Sequence, residues 1–271
     1  MGDYTLMFIC FMLTSTSLMA AIFGDGNSAN GVEDQRVPAP DHLIKSLGTI
    51  FCDGQLRGTA AHIRIPPSYA HKKHSIIVSA AHVLYHAGTS VAYKKCVYRP
   101  QGKRLSGIDF DKISRHNFSP LTNNKIQQAD HDIVFISLKS PLSDPGLNLQ
   151  IAQNEVSVHL IGYNEDQDNI SISQHCNLYT SAQFASNYLL LHDCDAGRGA
   201  SGGPLVDVKT KSILGVHGGT LLLAKNNNVA TIPRGALPNA EELINQGRKI
   251  DLGTISELKR FTAYLSKDFQ H

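Results

Sequence analysis

The sequence predicts a mostly β protein built from antiparallel sheets. The chain has 271 residues and is 42% hydrophobic, which is enough to form a substantial core. Its apolar runs are short, rich in β-branched residues and separated by turn-forming residues, and glycine occurs 22 times. Such runs fit closed or nearly closed antiparallel sheets better than βαβ units or a helical bundle.

The strand-like runs fall into two groups along the chain. The stretch 140–148 carries two prolines between these groups and is typical of an interdomain linker. We therefore expect a first β domain at 47–143 and a second at 144–252. The predicted strands lie at 58–65, 75–80, 90–98, 132–138, 157–162, 188–192, 204–208 and 212–216.

The pattern changes to a helical one at 253–271. Apolar residues recur there at steps of three or four, with Lys and Glu between them, which predicts an amphipathic helix packed on the body. A further short helix is expected at 239–247. The apolar positions of the C-terminal helix are Ile255, Leu258, Phe261, Leu265 and Phe269.

The N-terminal 29 residues are predicted as a signal peptide or leader. An apolar run begins at Leu6, and no Lys or Arg precedes it. Cleavage is expected near Ala21 or as late as Ala29, and residues 30–46 are expected to form a flexible connector. An uncleaved membrane anchor and a misassigned start are the alternatives. Leader removal would give a secreted or periplasmic protein without stable membrane association.

Cysteine usage also indicates an oxidising compartment. Setting aside Cys10 in the leader leaves Cys52, Cys96, Cys176 and Cys194, with no C-x-x-C pair that would favour zinc. Four cysteines allow three pairings, and pairing of neighbours would place one disulfide in each half of the chain. Four buried free thiols are the alternative.

The charge of the chain disfavours a nucleic-acid partner. The formal net charge is +2, and the Lys and Arg residues form no run of the kind that follows a phosphate backbone. Protein or peptide partners are therefore expected instead.

The segment 194–205 carries the most specific chemical pattern. Ser201 lies there among glycines, which let backbone N–H groups approach a ligand atom closely. A nucleophilic serine needs such donors for the oxyanion that its attack creates, at about 3 kcal/mol per donor. Gly199 and Ser201 are the predicted oxyanion hole.

A serine nucleophile also needs a general base and a carboxylate that orients it. Among 13 histidines, His82 stands out because V-S-A-A-H-V places it where a strand gives way to a loop. Asp132 opens the apolar run D-I-V-F-I-S-L and is the predicted orienting carboxylate. The predicted catalytic residues therefore follow the order His82, Asp132, Ser201.

The segments V-S-A-A-H, D-I-V-F-I-S-L and G-A-S-G-G-P-L together resemble the three signature segments of trypsin- and chymotrypsin-like serine proteases, in that family's order. The resemblance covers residues 47–269. It implies two six-stranded antiparallel β-barrels with a C-terminal helix. It also implies a serine endopeptidase that needs no metal and no cofactor.

Two departures bring the pattern closer to bacterial extracellular and glutamyl-endopeptidase-like members. Ala200 stands where many members carry Asp, and Val83 stands where many carry Cys. That Asp accepts a new N-terminal ammonium after zymogen cleavage, so Ala200 argues against activation of this kind. Pro38 in the nearest candidate cleavage site, Arg36–Pro38, also suits a buried N-terminus poorly.

Two residues give opposite predictions for the substrate side chain at P1. Asp195 has the spacing from Ser201 at which trypsin-like enzymes carry the carboxylate of the S1 pocket, which favours Arg or Lys. His217 matches the histidine that glutamyl endopeptidases place in that pocket, which favours Glu or Asp. We expect a slight preference for a basic residue, because an ionised aspartate is fully charged at pH 7. A capping role for Asp195 and a packing role for His217 are the alternatives.

Three rival classes are less well supported. An α/β-hydrolase shares the G-x-S-x-G pattern, but its Asp and then its His must follow the serine, and the only histidines after Ser201 are His217 and His271. An inactive protease-like binding module is the leading alternative from another class. A metal site lacks a carboxylate or thiolate ligand at a recognisable spacing, and would have to use His71, His74, His82 and His86.

Overall fold

The computed structural model describes residues 21–23, 34–66, 75–100, 107–152, 156–179, 186–222, 230–231 and 242–267. The N-terminal half contains β1 (Arg36–Pro38), α1 (Asp41–Ile44), β2 (Leu47–Cys52), β3 (Gln55–Ile63), β4 (Ile76–Ser79), β5 (Cys96–Pro100), β6 (Ile108–Ile113), α2 (Lys125–Asp130) and β7 (Val134–Leu138). The C-terminal half contains β8 (Val158–Asn164), β9 (Asn169–Cys176), β10 (Leu178–Tyr179), β11 (Leu189–His192), β12 (Pro204–Asp207), β13 (Ile213–Leu222), β14 (Ala230–Thr231), β15 (Glu242–Lys249) and α3 (Leu252–Lys267).

The first half folds into a closed antiparallel barrel in the strand order β2-β3-β4-β7-β6-β5. Strands β4 and β7 are buried along their whole length, and the barrel core is mostly aliphatic, with Tyr98 and Phe135 as its buried aromatic residues. Leu47, Ile50, Ile77 and Ile136 are fully buried in it. Each such side chain contributes about 2 kcal/mol by leaving water. The barrel is therefore a packed and rigid support for the loops at its ends.

The second half forms an open sheet rather than a second closed barrel among the described residues. Its strand order is β1-β9-β8-β12-β13-β15-β11-β10, with β14 added to β15. Strand β1 extends one edge because Arg36 and Pro38 pair with Ser173 and Ser171 of β9. The mostly β class and the first barrel are confirmed. The second unit is an open sheet among the described residues, whereas a second closed six-stranded barrel was expected.

The C-terminal helix is confirmed as α3. Asp251 caps its first turn, because its Oδ1 accepts hydrogen bonds from Thr254 N–H (2.8 Å) and Thr254 Oγ1–H (2.9 Å). Leu258, Phe261 and Leu265 form its buried face. The predicted apolar position Phe269 lies outside the described residues. None of the helices in the described ranges is long and apolar enough to cross a membrane.

The predicted helix at 239–247 is wrong, because the described residues of that stretch lie in β15. This strand pairs with β13 on one side and with β11 on the other. Pairing on both edges outweighs the local helical preference of a short segment. The predicted strand at 90–98 is also shorter than expected and begins at Cys96, since residues 90–95 form a loop.

The pairing of neighbouring cysteines is confirmed by the two disulfides. Cys52–Cys96 joins β2 to β5 in the first barrel, and Cys176–Cys194 joins the end of β9 to the loop after β11. The second disulfide therefore fixes the start of the loop that carries Ser201.

Candidate active site

His82 lies in a 3₁₀ turn, Ala81–Leu84, that directly follows strand β4. Its neighbours Ala81, Val83 and Leu84 are buried, whereas the His82 side chain is 24% exposed. The turn thus holds the imidazole at the rim of the barrel, where a substrate can reach it.

Asp132 meets His82 through two hydrogen bonds. Asp132 Oδ2 accepts from His82 Nδ1–H at 2.6 Å, and Asp132 Oδ1 accepts from the His82 backbone N–H at 2.8 Å. The Asp132 side chain is almost fully buried, and its own backbone N–H donates to Ala129 O at the end of α2. The carboxylate is therefore fixed relative to both the backbone and the ring of His82.

The pKa of His82 follows from this arrangement. Burial of the ring opposes protonation, but the charge of Asp132 and its hydrogen bond outweigh burial, so the pKa of His82 is raised above its usual value. A neutral His82 keeps its proton on Nδ1, because Asp132 accepts it there. Nε2 is then free of a proton and available as a base.

Ser201 lies in the loop between β11 and β12, and this loop contacts the first barrel. Thr59 N–H donates to Ser201 O (2.7 Å), and Thr59 Oγ1–H donates to Gly199 O (2.8 Å). Gly58 has no room for a side chain, because a Cβ there would overlap Ser201 O and the Val83 side chain. The serine backbone is thereby packed beside the residue that follows His82.

The backbone N–H groups of Gly199 and Ser201 donate to no acceptor in the part of the chain that the structure describes. Their neighbours are paired, since Ala200 N–H donates to Gly197 O and Gly202 N–H donates to His217 O. Gly199 has a φ of +97°, a conformation that glycine adopts without strain. Two unpaired donors in one tightly held loop are suited to receive an anionic oxygen.

His217 is buried beside the serine loop in strand β13. Its carbonyl accepts from Gly202 N–H and its N–H donates to Gly203 O, both at 2.8 Å. Its Nδ1 lies 3.2 Å from Nε2 of His192, while its own Nε2 has no hydrogen-bond partner among the described residues. A buried polar nitrogen in this state is costly unless a ligand pairs with it.

The two imidazoles are neutral at pH 7. Burial lowers the pKa of His192 to about 3. Burial, followed by the nearby His192 and His82, holds the pKa of His217 well below its usual value. The pair His192 and His217 therefore contributes no positive charge beside the serine loop at pH 7.

Asp195 is bonded to the N-terminal part of the chain. Its Oδ1 accepts from Phe23 N–H and its Oδ2 accepts from Gln35 N–H, both at 2.7 Å. The residue is 1% exposed. Both oxygens are engaged within the protein, so the predicted role of Asp195 in binding a basic P1 side chain has no support in this geometry.

The sequence did not indicate several residues that hold the site together. Thr59 binds the serine loop, and Asn164 Oδ1 accepts from Gly197 N–H at 2.5 Å. These residues are far from the loop in sequence, so no local pattern points to them. Among the described residues no group of three His, Cys, Asp or Glu side chains could hold a metal ion, and His71 and His74 lie outside the described ranges.

Comparisons with known proteins connect this geometry to a family. The profile of the trypsin-like peptidase domain matches residues 68–216, which is more than half of the chain. A search of curated protein sequences finds no significant match.

Several solved structures share the fold at low sequence identity. A Glu endopeptidase in complex with MPD is 14% identical with a TM-score of 0.59, covering 85% of this chain and 98% of that chain. The protease Anisep from Arthrobacter nicotinovorans is 13% identical with a TM-score of 0.57, covering 84% and 100%. Neuropsin, a serine protease of mouse brain, is 16% identical with a TM-score of 0.53, covering 86% and 98%.

The closed barrel, the second sheet and the C-terminal helix match the chymotrypsin-like fold, and the class of protein is a serine endopeptidase. The chain belongs to the trypsin-like peptidase family.

Proposed function

We propose that His82, Asp132 and Ser201 form a catalytic triad that hydrolyses peptide bonds through an acyl-enzyme. The observation that carries the proposal is the pair of hydrogen bonds that Asp132 accepts from the ring and the backbone of His82. A carboxylate in this position selects the tautomer that leaves Nε2 unprotonated, and it stabilises the imidazolium that forms during the reaction.

In the proposed mechanism His82 takes the proton of Ser201 Oγ as the oxygen attacks the peptide carbonyl carbon. The resulting oxyanion accepts hydrogen bonds from the N–H groups of Gly199 and Ser201. His82 then gives its proton to the leaving amine. Water, deprotonated by His82, attacks the acyl-enzyme ester, and the proton returns to Ser201 as the acid product leaves.

Replacement of the nucleophile tests this mechanism. Ser201→Ala should abolish peptide hydrolysis while the fold and the melting temperature are retained, since it removes one oxygen atom from an unchanged loop. Ser119→Ala, at an exposed serine, is the matched control and should keep full activity. Hydrolysis by Ser201→Ala near the wild-type rate would contradict the triad. It would mean that another residue is the nucleophile, whereas a lack of hydrolysis by the wild type itself would favour the inactive binding module.

The proposal extends to the P1 residue through His217. Cys194 N–H donates to His192 Nδ1 at 3.3 Å, which places the proton of a neutral His192 on Nε2. His192 Nε2–H then donates to His217 Nδ1, so the proton of His217 lies on its unpaired Nε2. A P1 side chain with an oxygen acceptor would satisfy this donor. We therefore favour Glu, and secondarily Asp or Gln, over the basic P1 residue expected from Asp195.

Matched peptides that differ only at P1 test this specificity. Peptides with Glu, Gln, Ala and Arg should be hydrolysed with kcat/KM highest for Glu, and His217→Ala should reduce the Glu-to-Ala ratio by 10-fold or more, on the order of a lost hydrogen bond to a charged group. A dominant Arg preference in the wild type would overturn the assignment to His217 without affecting the triad.

Protein or peptide substrates follow from the peptidase family. The two disulfides support secretion or a periplasmic location, because such bonds persist in oxidising compartments. The measurement is fractionation of the native host or a suitable expression host, in which the active, disulfide-bonded protein should appear outside the reducing cytosol.

A further inference from the structure

The residues 21–23, which belong to the predicted leader, are packed into the body of the protease. Phe23 is fully buried and shares an apolar cluster with Ala129, Leu191 and Ile244. Burial of a phenylalanine side chain contributes about 2 to 3 kcal/mol. If processing removed this segment, the folded protein would lose this stabilisation.

The backbone of this segment is also hydrogen-bonded to the second sheet and its loops. Ala21 O accepts from Ala196 N–H at 3.1 Å and from Asn245 Nδ2–H at 3.2 Å. Phe23 N–H donates to Asp195 Oδ1 at 2.7 Å. The segment therefore holds two consecutive residues, Asp195 and Ala196, one by its side chain and the other by its backbone.

Asp195 and Ala196 lead directly into the loop that carries the proposed oxyanion donors. Gly199 follows Ala196 by three positions and Ser201 follows it by five. The second oxygen of Asp195 accepts from Gln35 N–H, next to Arg36, which is paired with Ser173 in the β1–β9 ladder. One buried carboxylate thus connects residues 21–23, strand β1 and the start of this loop.

The same apolar cluster reaches the other half of the proposed triad. Ala129 belongs to the cluster of Phe23, and its carbonyl accepts from Asp132 N–H at 3.1 Å. Residues 21–23 are therefore connected to Asp132 through the cluster of Ala129 and to the serine loop through Asp195 and Ala196.

We propose that residues 21–23 are retained in the mature protease, and that Asp195 is a positioning residue that ties them to the oxyanion loop rather than the selector of the P1 side chain. The expected effect on kcat rests on the proposed function, whereas the retention of residues 21–23 does not. Any leader cleavage then falls before Ala21. The later cleavage point near Ala29 would remove the partner of Asp195 Oδ1 and the buried phenyl ring.

The first test determines the N-terminus of the active protein. Full-length chain is expressed with secretion, active enzyme is isolated with a fluorophosphonate probe, and its N-terminus is identified by mass spectrometry. We expect a start at or before Ala21. Fully active enzyme that starts after Phe23 would overturn the proposal.

The second test separates positioning from P1 selection by substitution in the full chain. Asp195→Asn keeps the side-chain volume but replaces one acceptor oxygen by an NH₂ group. This group cannot accept the hydrogen bond of a backbone N–H. We expect kcat to fall on the order of 100-fold, the scale for misplaced catalytic groups, with the ratio of Glu to Arg hydrolysis at P1 unchanged. An unchanged kcat, or a P1 ratio that changes 10-fold or more, would overturn the positioning role.

Gln35 supplies a matched pair of variants for the same contact. Gln35→Pro removes the N–H that donates to Asp195, whereas Gln35→Ala keeps it. Gln35→Pro should lower kcat and Gln35→Ala should not, and Gln35→Pro should have little further effect in the Asp195→Asn background. Equal effects of the two Gln35 variants, or fully additive losses, would contradict the coupling.

The outcomes also distinguish this proposal from the triad. If Ser201→Ala stays active, the triad fails, while the N-terminus found by mass spectrometry still tests the retention of residues 21–23. If Ser201→Ala is inactive and Asp195→Asn has wild-type kcat, only the coupling fails. Thermal unfolding of each variant shows whether a loss of activity is a loss of folded protein.

Discussion

Asp132 accepts two hydrogen bonds from His82, one from the backbone N–H at 2.8 Å and one from Nδ1–H at 2.6 Å. The backbone contact fixes the carboxylate even when the ring moves, and the ring contact fixes the tautomer. The geometry of these two residues is therefore set by the turn after β4 in the first barrel and by the end of α2, where Ala129 belongs to an apolar cluster of the second sheet.

Removal of the charge at Asp132 tests the importance of the tautomer. Asp132→Asn should reduce kcat on the order of 10⁴-fold, because the amide allows the imidazole proton to occupy the wrong nitrogen. Steady-state hydrolysis of a fluorogenic peptide measures the loss. A reduction below tenfold would mean that another carboxylate orients His82.

The raised pKa of His82 predicts the pH dependence of catalysis. The base must be neutral to accept the serine proton, so kcat/KM should fall as pH drops through an apparent pKa above the usual imidazole value of 6.5. In Asp132→Asn this apparent pKa should move downward, because burial then acts without the opposing charge. The pH dependence of kcat/KM, or of inactivation by a fluorophosphonate, gives both values. An identical pKa in the two proteins would contradict the electrostatic role of Asp132.

Gly202 is expected to tolerate no side chain. Its φ is +85°, and a Cβ there would overlap Thr59 O and Ser79 Oγ at the contact between the serine loop and the first barrel. Gly54 is the matched control, because its φ is +80° but a Cβ there meets no atom within 4 Å. Gly54→Ala should cost about 1 kcal/mol of backbone strain, and Gly202→Ala should cost at least about 2 kcal/mol more. Urea unfolding measures the loss of stability in both variants. Equal losses would contradict the close contact of Gly202 with Thr59 and Ser79.

The two disulfides are expected to differ in their effects on stability and on activity. Their sequence separations are 44 and 18, for which chain entropy predicts losses of about 4 and about 3 kcal/mol on removal. Paired Cys→Ala variants measured by urea unfolding test this order. Loss of Cys176–Cys194 should lower kcat more than loss of Cys52–Cys96, because Cys194 directly precedes Asp195. The reverse order of activities would argue against control of the serine loop by this disulfide.

The local part of the site could be predicted from the sequence. His82, Asp132 and Ser201 each stand in a short segment whose strand or glycine-rich loop is visible in the adjacent residues. The contacts that hold these segments together could not be predicted in this way. Thr59 and Asn164 bind the serine loop although each lies more than thirty residues away in sequence. No pattern in the residues around them predicts these contacts.

The largest differences between sequence and structure arise where one pattern has two physical meanings. An apolar run that ends at Phe23 is typical of a leader, which stays a prediction, and the same hydrophobicity also suits the buried position that Phe23 occupies. A carboxylate six positions before the serine has the spacing of a P1 selector, but Asp195 binds backbone N–H groups instead. The stretch before Gly247 has helical character on its own and becomes a strand because two neighbours pair with it.

The most direct test of the central claim is the site of covalent labelling by a fluorophosphonate. Folded wild-type protein should be labelled on one residue, Ser201, at a rate that rises with pH as His82 loses its proton. Ser201→Ala should take up no label, and Asp132→Asn should be labelled much more slowly. Stoichiometric labelling of Ser201→Ala, or wild-type protein labelled at a different serine, would contradict the account.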